Sequence, residues 1–352
     1  MAKLNFFILS FLLLSTIAPP SDGANAVGQP LKTLPEECQK STDGPCHNKT
    51  GSLNLKLIAI AAILVTSMMG VSLPILSKSV PALHPDTNLF VLVKAFASGV
   101  ILATGYMHVL PDSFDCLTSK CLPEKPWSKF PFTTFIAMFS AVLTLMVDSY
   151  ALSWYKKCKT HNQENKNQDP ESKISGHCHG HGSSGLDNPA SKLRRYRVVA
   201  QVLELGIVVH SVVIGLSMGA SDNVCTIRPL VAALCFHQFF EGIGLGGCIL
   251  QANYEKKMKA MMVFFFSVTT PFGIALGIGL SNVYQENSPT ALVVVGVLNA
   301  VSAGLLNYMA LVDLLASDFM GEKLQDNMKL QTISYLAVIL GAGGMSVMAI
   351  WA

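Results

Sequence analysis

Long apolar runs alternate with short polar breaks along most of this chain. A helix crossing a bilayer needs about 20 predominantly apolar residues. Stretches of that kind run from Leu57 to Leu76, Leu89 to Leu110, Pro131 to Ala151, Val198 to Ala220, Leu230 to Leu250, Met261 to Leu280, Ala291 to Leu315 and Ile333 to Trp351. The predicted fold class is an all-α membrane protein of about eight transmembrane helices. Residues 27–55 form an extracellular N-terminal segment, 56–153 carry helices 1 to 3, 154–196 a polar loop and 197–352 helices 4 to 8. The earliest apolar run is different. Phe6 to Ile17 follows Lys3, is too short to span, and leads into Pro19-Pro20 and Ala24-Asn25-Ala26, the plan of a cleavable signal peptide over residues 1–26.

Composition supports the bilayer as solvent. Of 352 residues, 51% are hydrophobic and 13% charged, more apolar surface than one soluble core can hide. Signal-peptide removal leaves the N-terminus outside, and an even number of spans returns the C-terminus there. Both termini are therefore expected to be extracellular, with the plasma membrane as the default destination. Basic residues agree: Lys156, Lys157, Lys159, Lys166, Lys173, Lys192, Arg194, Arg195 and Arg197 precede the fourth span, and Lys256, Lys257 and Lys259 precede the sixth. Both groups fall on the predicted cytoplasmic side, while Ser281 to Thr290 has no Lys or Arg. Orientation thus accounts for the net charge of +3, and no nucleic-acid partner is implied.

Cysteines divide by compartment. Cys38, Cys46, Cys116 and Cys121 lie on the oxidising side, where four cysteines allow three pairings, and Cys225 adds a fifth near that face. Asn48-Lys49-Thr50 is a glycosylation acceptor on the same side. The polar loop has no apolar period and is expected to be disordered. It holds His177, Cys178, His179 and His181, alternating imidazoles and a thiol able to reach a divalent cation from the cytoplasm.

Two spans share a sparser pattern: a His, a Gly five positions later and another Gly four after that. They read His210 to Gly219 and His237 to Gly246, the second with Glu241 one turn beyond its His. Ionisable groups inside a bilayer cost about 2.5 to 3.5 kcal/mol each on insertion scales and survive where they pair or line an ion path. The connection Ser221 to Pro229 makes these spans an antiparallel hairpin, and the rise per residue brings the three groups to a common depth. His237 and Glu241 share a helix face. Gly215, Gly219, Gly242 and Gly246 are expected to let the two backbones of the hairpin approach closely. Two imidazoles and a carboxylate form a set suited to zinc or ferrous iron, with Ser211 and Gln238 as weaker donors.

The strings His210-Ser-Val-Val-Ile-Gly-Leu-Ser-Met-Gly and His237-Gln-Phe-Phe-Glu-Gly-Ile-Gly-Leu-Gly resemble the signature spans of the ZIP (zinc-regulated, iron-regulated transporter-like) metal transporters, in their plant branch. The resemblance extends through His108-Val-Leu-Pro-Asp112, the run around Pro271, and Tyr308-Met-Ala-Leu-Val-Asp313, from about Leu57 to the end. It implies inverted three-helix repeats around a central metal-binding helix hairpin, working by alternating access. Bacterial members place a second metal with an additional Glu on the fourth helix, where this chain has Ile214, a departure that counts against a full binuclear site.

The expected function is transport of zinc or ferrous iron, with manganese also admitted, into the cytosol through His210, His237 and Glu241. His108 and Asp112 are candidates for the entrance, and Asp148, Glu204 and Asp313 for the exit. The metal is substrate, and no cofactor is required. Partners are divalent metal ions and lipid, with a homodimer admitted. An enzyme is disfavoured: Gly215-Leu-Ser217-Met-Gly219 fits the serine-hydrolase string, but that motif needs a strand-to-helix elbow and lies here in an apolar helix. No His-Glu-x-x-His occurs.

Overall fold

A computed structural model of the chain describes residues 38, 46–76, 87–164, 189–281 and 287–350. Among these, the backbone is almost wholly helical, and β pairing is confined to an isolated bridge between His47 and Asn223. Eight helices are long and apolar enough to cross a membrane. They are α1 (Lys49–Leu76), α2 (Asn88–Leu117), α3 (Phe132–Glu164), α4 (Pro189–Ala220), α5 (Val224–Gln251), α6 (Lys256–Leu280), α7 (Pro289–Phe319) and α8 (Met328–Ala349).

Several helices start well before their apolar run because polar side chains cap them. Asn48 Oδ1 accepts from the Gly51 N–H at 2.9 Å, Asn223 Oδ1 from the Cys225 N–H at 3.0 Å, and Asn327 Oδ1 from the Leu330 N–H at 3.1 Å. Such caps satisfy donors that the first helical turn leaves open. The cap at Asn223 shortens the α4–α5 connection to residues 221–223, against the expected Ser221 to Pro229, and carries Pro229 inside α5. Helix also invades the expected 154–196 loop from both sides, with α3 reaching Glu164 and α4 beginning at Pro189, a residue well suited to the first helical position. His177, His179 and His181 lie outside the described residues, as does the 1–26 segment.

Packing follows one scheme twice. α1 lies along α5 as α6 lies along α4, and α2 along α8 as α7 along α3. Likewise α2 meets α5 as α7 meets α4. Exchanging α1 with α6, α2 with α7, α3 with α8 and α4 with α5 therefore maps the pairings onto themselves. That is the signature of two inverted three-helix repeats around the α4–α5 hairpin. The counterparts α2 and α7 even share a defect, a π-helical turn at Gly105–Val109 and at Met309–Ala316.

The glycines do not serve the contact expected of them. Gly215 and Gly219 face Gly273 and Gly277 of α6, where an added Cβ would stand 3.0 Å and 2.8 Å from the opposing Cα atoms. Gly242 and Gly246 face Val71 of α1. The reason is rotational: positions five and nine after a His lie about 140° and 180° around a helix of 3.6 residues per turn. Each hairpin helix thus turns its glycines to a flanking repeat helix and keeps its His for the opposite side.

Two disulfides, Cys38–Cys121 and Cys46–Cys225, lie at the end of the bundle that holds the α4–α5 turn. Cys225 is a full partner, and Cys116 carries a free thiol. The Val224 N–H donates to the Cys46 carbonyl at 2.9 Å, seating the N-terminal segment against the start of α5. Met138 and Phe139 on α3, and Ile339 and Leu340 on α8, are exposed, as lipid-facing residues of a multi-pass protein should be.

Candidate metal centre

The centre lies between two apolar layers. Toward the disulfide face, Ala59, Ile63, Ile214, Met218, Leu234 and Ile274 pack together. Toward the opposite face a larger core includes Val71, Leu203, Ile207, Leu245, Ile249 and Phe266. His210 falls between Ile207 and Ile214 on α4, and His237 and Glu241 between Leu234 and Leu245 on α5.

There the three residues converge. A ligand atom from each lies within 4.8 Å of the others, and the His210 and His237 ring centroids are 5.7 Å apart. All three side chains are buried, His237 and Glu241 completely. Among the described residues, neither nitrogen of either imidazole and neither oxygen of Glu241 has a hydrogen-bond partner. A buried polar atom left without a partner costs about 1–3 kcal/mol. A single divalent cation could accept lone pairs from all three side chains, and an N2O set suits zinc or ferrous iron. Three protein ligands also leave a coordination position open.

His108 stands next to this group. It is buried on the π turn of α2, its ring centroid 6.1 Å from that of His237, and its Nε2 has no hydrogen-bond partner among the described residues. The π turn bonds the Leu110 N–H to the Gly105 carbonyl, which widens the helix and re-aims the side chain. Asp112, half-buried, follows one turn beyond.

Ser211 and Gln238, next in sequence to the two His, are buried, and Ser211 Oγ and Gln238 Nε2 lack partners among the described residues. Sequence reading missed Ser67 on α1 and Ser267 and Thr270 on α6, whose hydroxyls are equally orphaned. Most hydroxyls in these helices bond the carbonyl one turn back, as Ser98 does to Lys94 at 2.8 Å and Thr104 to Val100 at 2.9 Å. Sequence does not separate the two kinds.

Toward the opposite face Tyr308 donates to Asp148 Oδ2 at 3.3 Å, while Asp148 Oδ1 and Asp313 Oδ1 have no partner among the described residues. Glu204 is half-buried on α4 and joins neither group. Ser217 sits in uninterrupted helix, its flanking glycines used in packing on α6, so no nucleophile elbow exists there.

The profile of the ZIP zinc transporter family matches residues 53–349. An Oryza sativa subsp. japonica protein named Fe(2+) transport protein 1 is 62% identical over 330 residues, covering 89% of this chain and 88% of its own length. An Arabidopsis thaliana protein named probable zinc transporter 8 is 56% identical over 327 residues, covering 93% and 94%. Another from Arabidopsis thaliana, zinc transporter 7, is 55% identical over 365 residues, covering 97% and 96%.

Proposed function

The chain belongs to the ZIP zinc transporter family, and from that premise we propose that it carries zinc or ferrous iron, with manganese as a further candidate, into the cytosol by alternating access through His210, His237 and Glu241. The observation that carries this reading is the set of buried imidazole and carboxylate atoms without partners at mid-span. A hydrated cation arriving from the disulfide face exchanges part of its water shell for Asp112 and His108. It then passes to the three central ligands, with His108 or water completing the shell. An open, labile fourth position keeps binding weak enough for release. Release lies past Asp148 and Asp313. The apolar layers on either side of the centre part in turn, one for entry and one for exit.

Orientation follows from chemistry at the two ends. Disulfides persist on an oxidising side, so that face is external, and the basic segments lie at the opposite end. The plasma membrane remains the proposed site, with His177, His179 and His181 sensing cytosolic metal. Affinity alone ranks the first-row divalents in a fixed order, so choice among them comes from geometry and supply. Relatives named for iron and for zinc agree with that.

Tracer zinc and ferrous-iron uptake by proteoliposomes tests the reading. Saturable uptake by the wild type, reduced to near background in His210→Ala, His237→Ala and Glu241→Ala at equal reconstitution, is expected. Normal uptake by two of the three variants would sink the assignment.

A further inference from the structure

Lys94 is a cation buried inside a membrane-crossing helix, 3% exposed, and the transport route above makes no use of it. Its Nζ donates to Asp318 Oδ1 of α7 at 2.9 Å and to Gln251 Oε1 of α5 at 3.4 Å. An ionisable side chain buried within a spanning helix is costly unless it pairs or marks an ion path.

Its position along the α2–α5 seam shows which of these applies. The two helices run antiparallel, and their contacts recur every seven residues: His108 beside His237, Ile101 against Gly244, Lys94 against Gln251. At 1.5 Å per residue each step is about 10 Å, so the Lys94 backbone lies about 21 Å along the helix from that of His108 on the same stripe. Between them Ile101 fills the seam; its Cδ1 lies 3.0 Å from where a Cβ on Gly244 would stand. Beyond that plug the seam ends in the Lys94–Asp318 ion pair, and α7 carries a second buried carboxylate, Asp313, on the π-helical segment that packs against α2. The Asp318 side chain is 26% exposed and so open to the solution at that end.

We propose that Lys94 is a resident cation of the inner mouth: its ammonium occupies Asp318 when no metal is present, yields it to a divalent ion descending the α2–α5 seam, and returns to expel that ion. The inference rests on the transport reading and deepens it. Asp313 and Asp318 alone would hold a departing divalent ion, slowing release. A tethered ammonium competes for the same carboxylate at a high effective concentration and so limits that hold. Gln251 Oε1 gives the ammonium an acceptor to rest on while the ion passes.

The test uses full-length protein, measuring equilibrium binding of tracer zinc in detergent and initial zinc uptake in proteoliposomes. Lys94→Met should retain more zinc per chain than wild type and lower both KM and the maximal rate, each by about fivefold or more. Lys94→Met with Asp318→Asn should lose the added zinc and recover rate. Lys94→Arg should keep wild-type zinc content. If Lys94→Met does not fold, Lys94→Gln must show the same gain. A purely structural ion pair would change the amount of folded protein and leave zinc content and KM alone. That result, or an Lys94→Arg variant that matches Lys94→Met, overturns the proposal. Failure of the transport reading is separate: wild type would show no saturable uptake.

Discussion

The imidazoles of His108 and His237 face each other across the α2–α5 seam with ring centroids 6.1 Å apart, and the π turn under His108 creates the approach. A third imidazole therefore borders a centre whose three ligands, two imidazoles and a carboxylate, leave one coordination position open. His108→Ala should raise the KM for zinc by about tenfold, as loss of a supporting ligand does, while keeping measurable turnover. His237→Ala should abolish uptake. Kinetics at matched protein amounts decide the point, and an unchanged KM in His108→Ala would remove the residue from the site.

Glu241 bears on stability as well as transport, because both its oxygens are buried without a partner among the described residues. Glu241→Met conserves volume and deletes the orphaned atoms. The metal-free variant should therefore unfold at the same or a higher temperature than wild type, a gain of about 1–3 kcal/mol if the full penalty is relieved. Zinc should raise the melting temperature of the wild type and leave the variant where it was. A clear drop in the metal-free melting temperature would mean that the carboxylate has a structural partner.

How much of this was legible in the sequence depends on the kind of signal. His210, His237 and Glu241 stood out because an ionisable group in an apolar run is rare, and their shared depth followed from helical rise. Lys94 carried the same signal, yet a single charge is diluted in an apolar window and its partners Gln251 and Asp318 come from distant segments. The approach of His108 depends on a π turn, which has no sequence pattern of its own. Helix starts were placed late because Asn48, Asn223 and Asn327 are polar caps that hydropathy counts as loop. The pairing of Cys46 with Cys225 needed the N-terminal segment to dock on α5, a tertiary fact.

The glycine faces predict a sharp positional contrast. Gly219→Ala would place a Cβ 2.8 Å from the Gly277 Cα, and Gly242→Ala would place one 2.8 Å from the Val71 N, in both cases against backbone. Forcing a methyl into such a contact costs about 1–3 kcal/mol. Gly343→Ala on α8 meets nothing within 4 Å and should be neutral or slightly stabilising through helix propensity. Thermal unfolding of the three variants in one detergent measures the order. Equal melting temperatures would show that the α4–α6 and α1–α5 contacts are looser than described.

His177, His179 and His181 precede α4 in the chain, whose first residue is Pro189. From Pro189 to His210 the helix rises about 31 Å. Replacing the three His with Ala should leave the initial rate of zinc uptake within about twofold of wild type, since each deletion removes a ligand of the tract and none of His210, His237 and Glu241. The same change should weaken zinc binding by a peptide spanning the tract, and blunt any loss of the transporter from the cell surface under metal excess. Initial rates at equal surface density are the deciding measurement. A large fall in rate would mean that the tract accepts metal directly from the exit, downstream of Asp313, and that its role is transfer and not sensing.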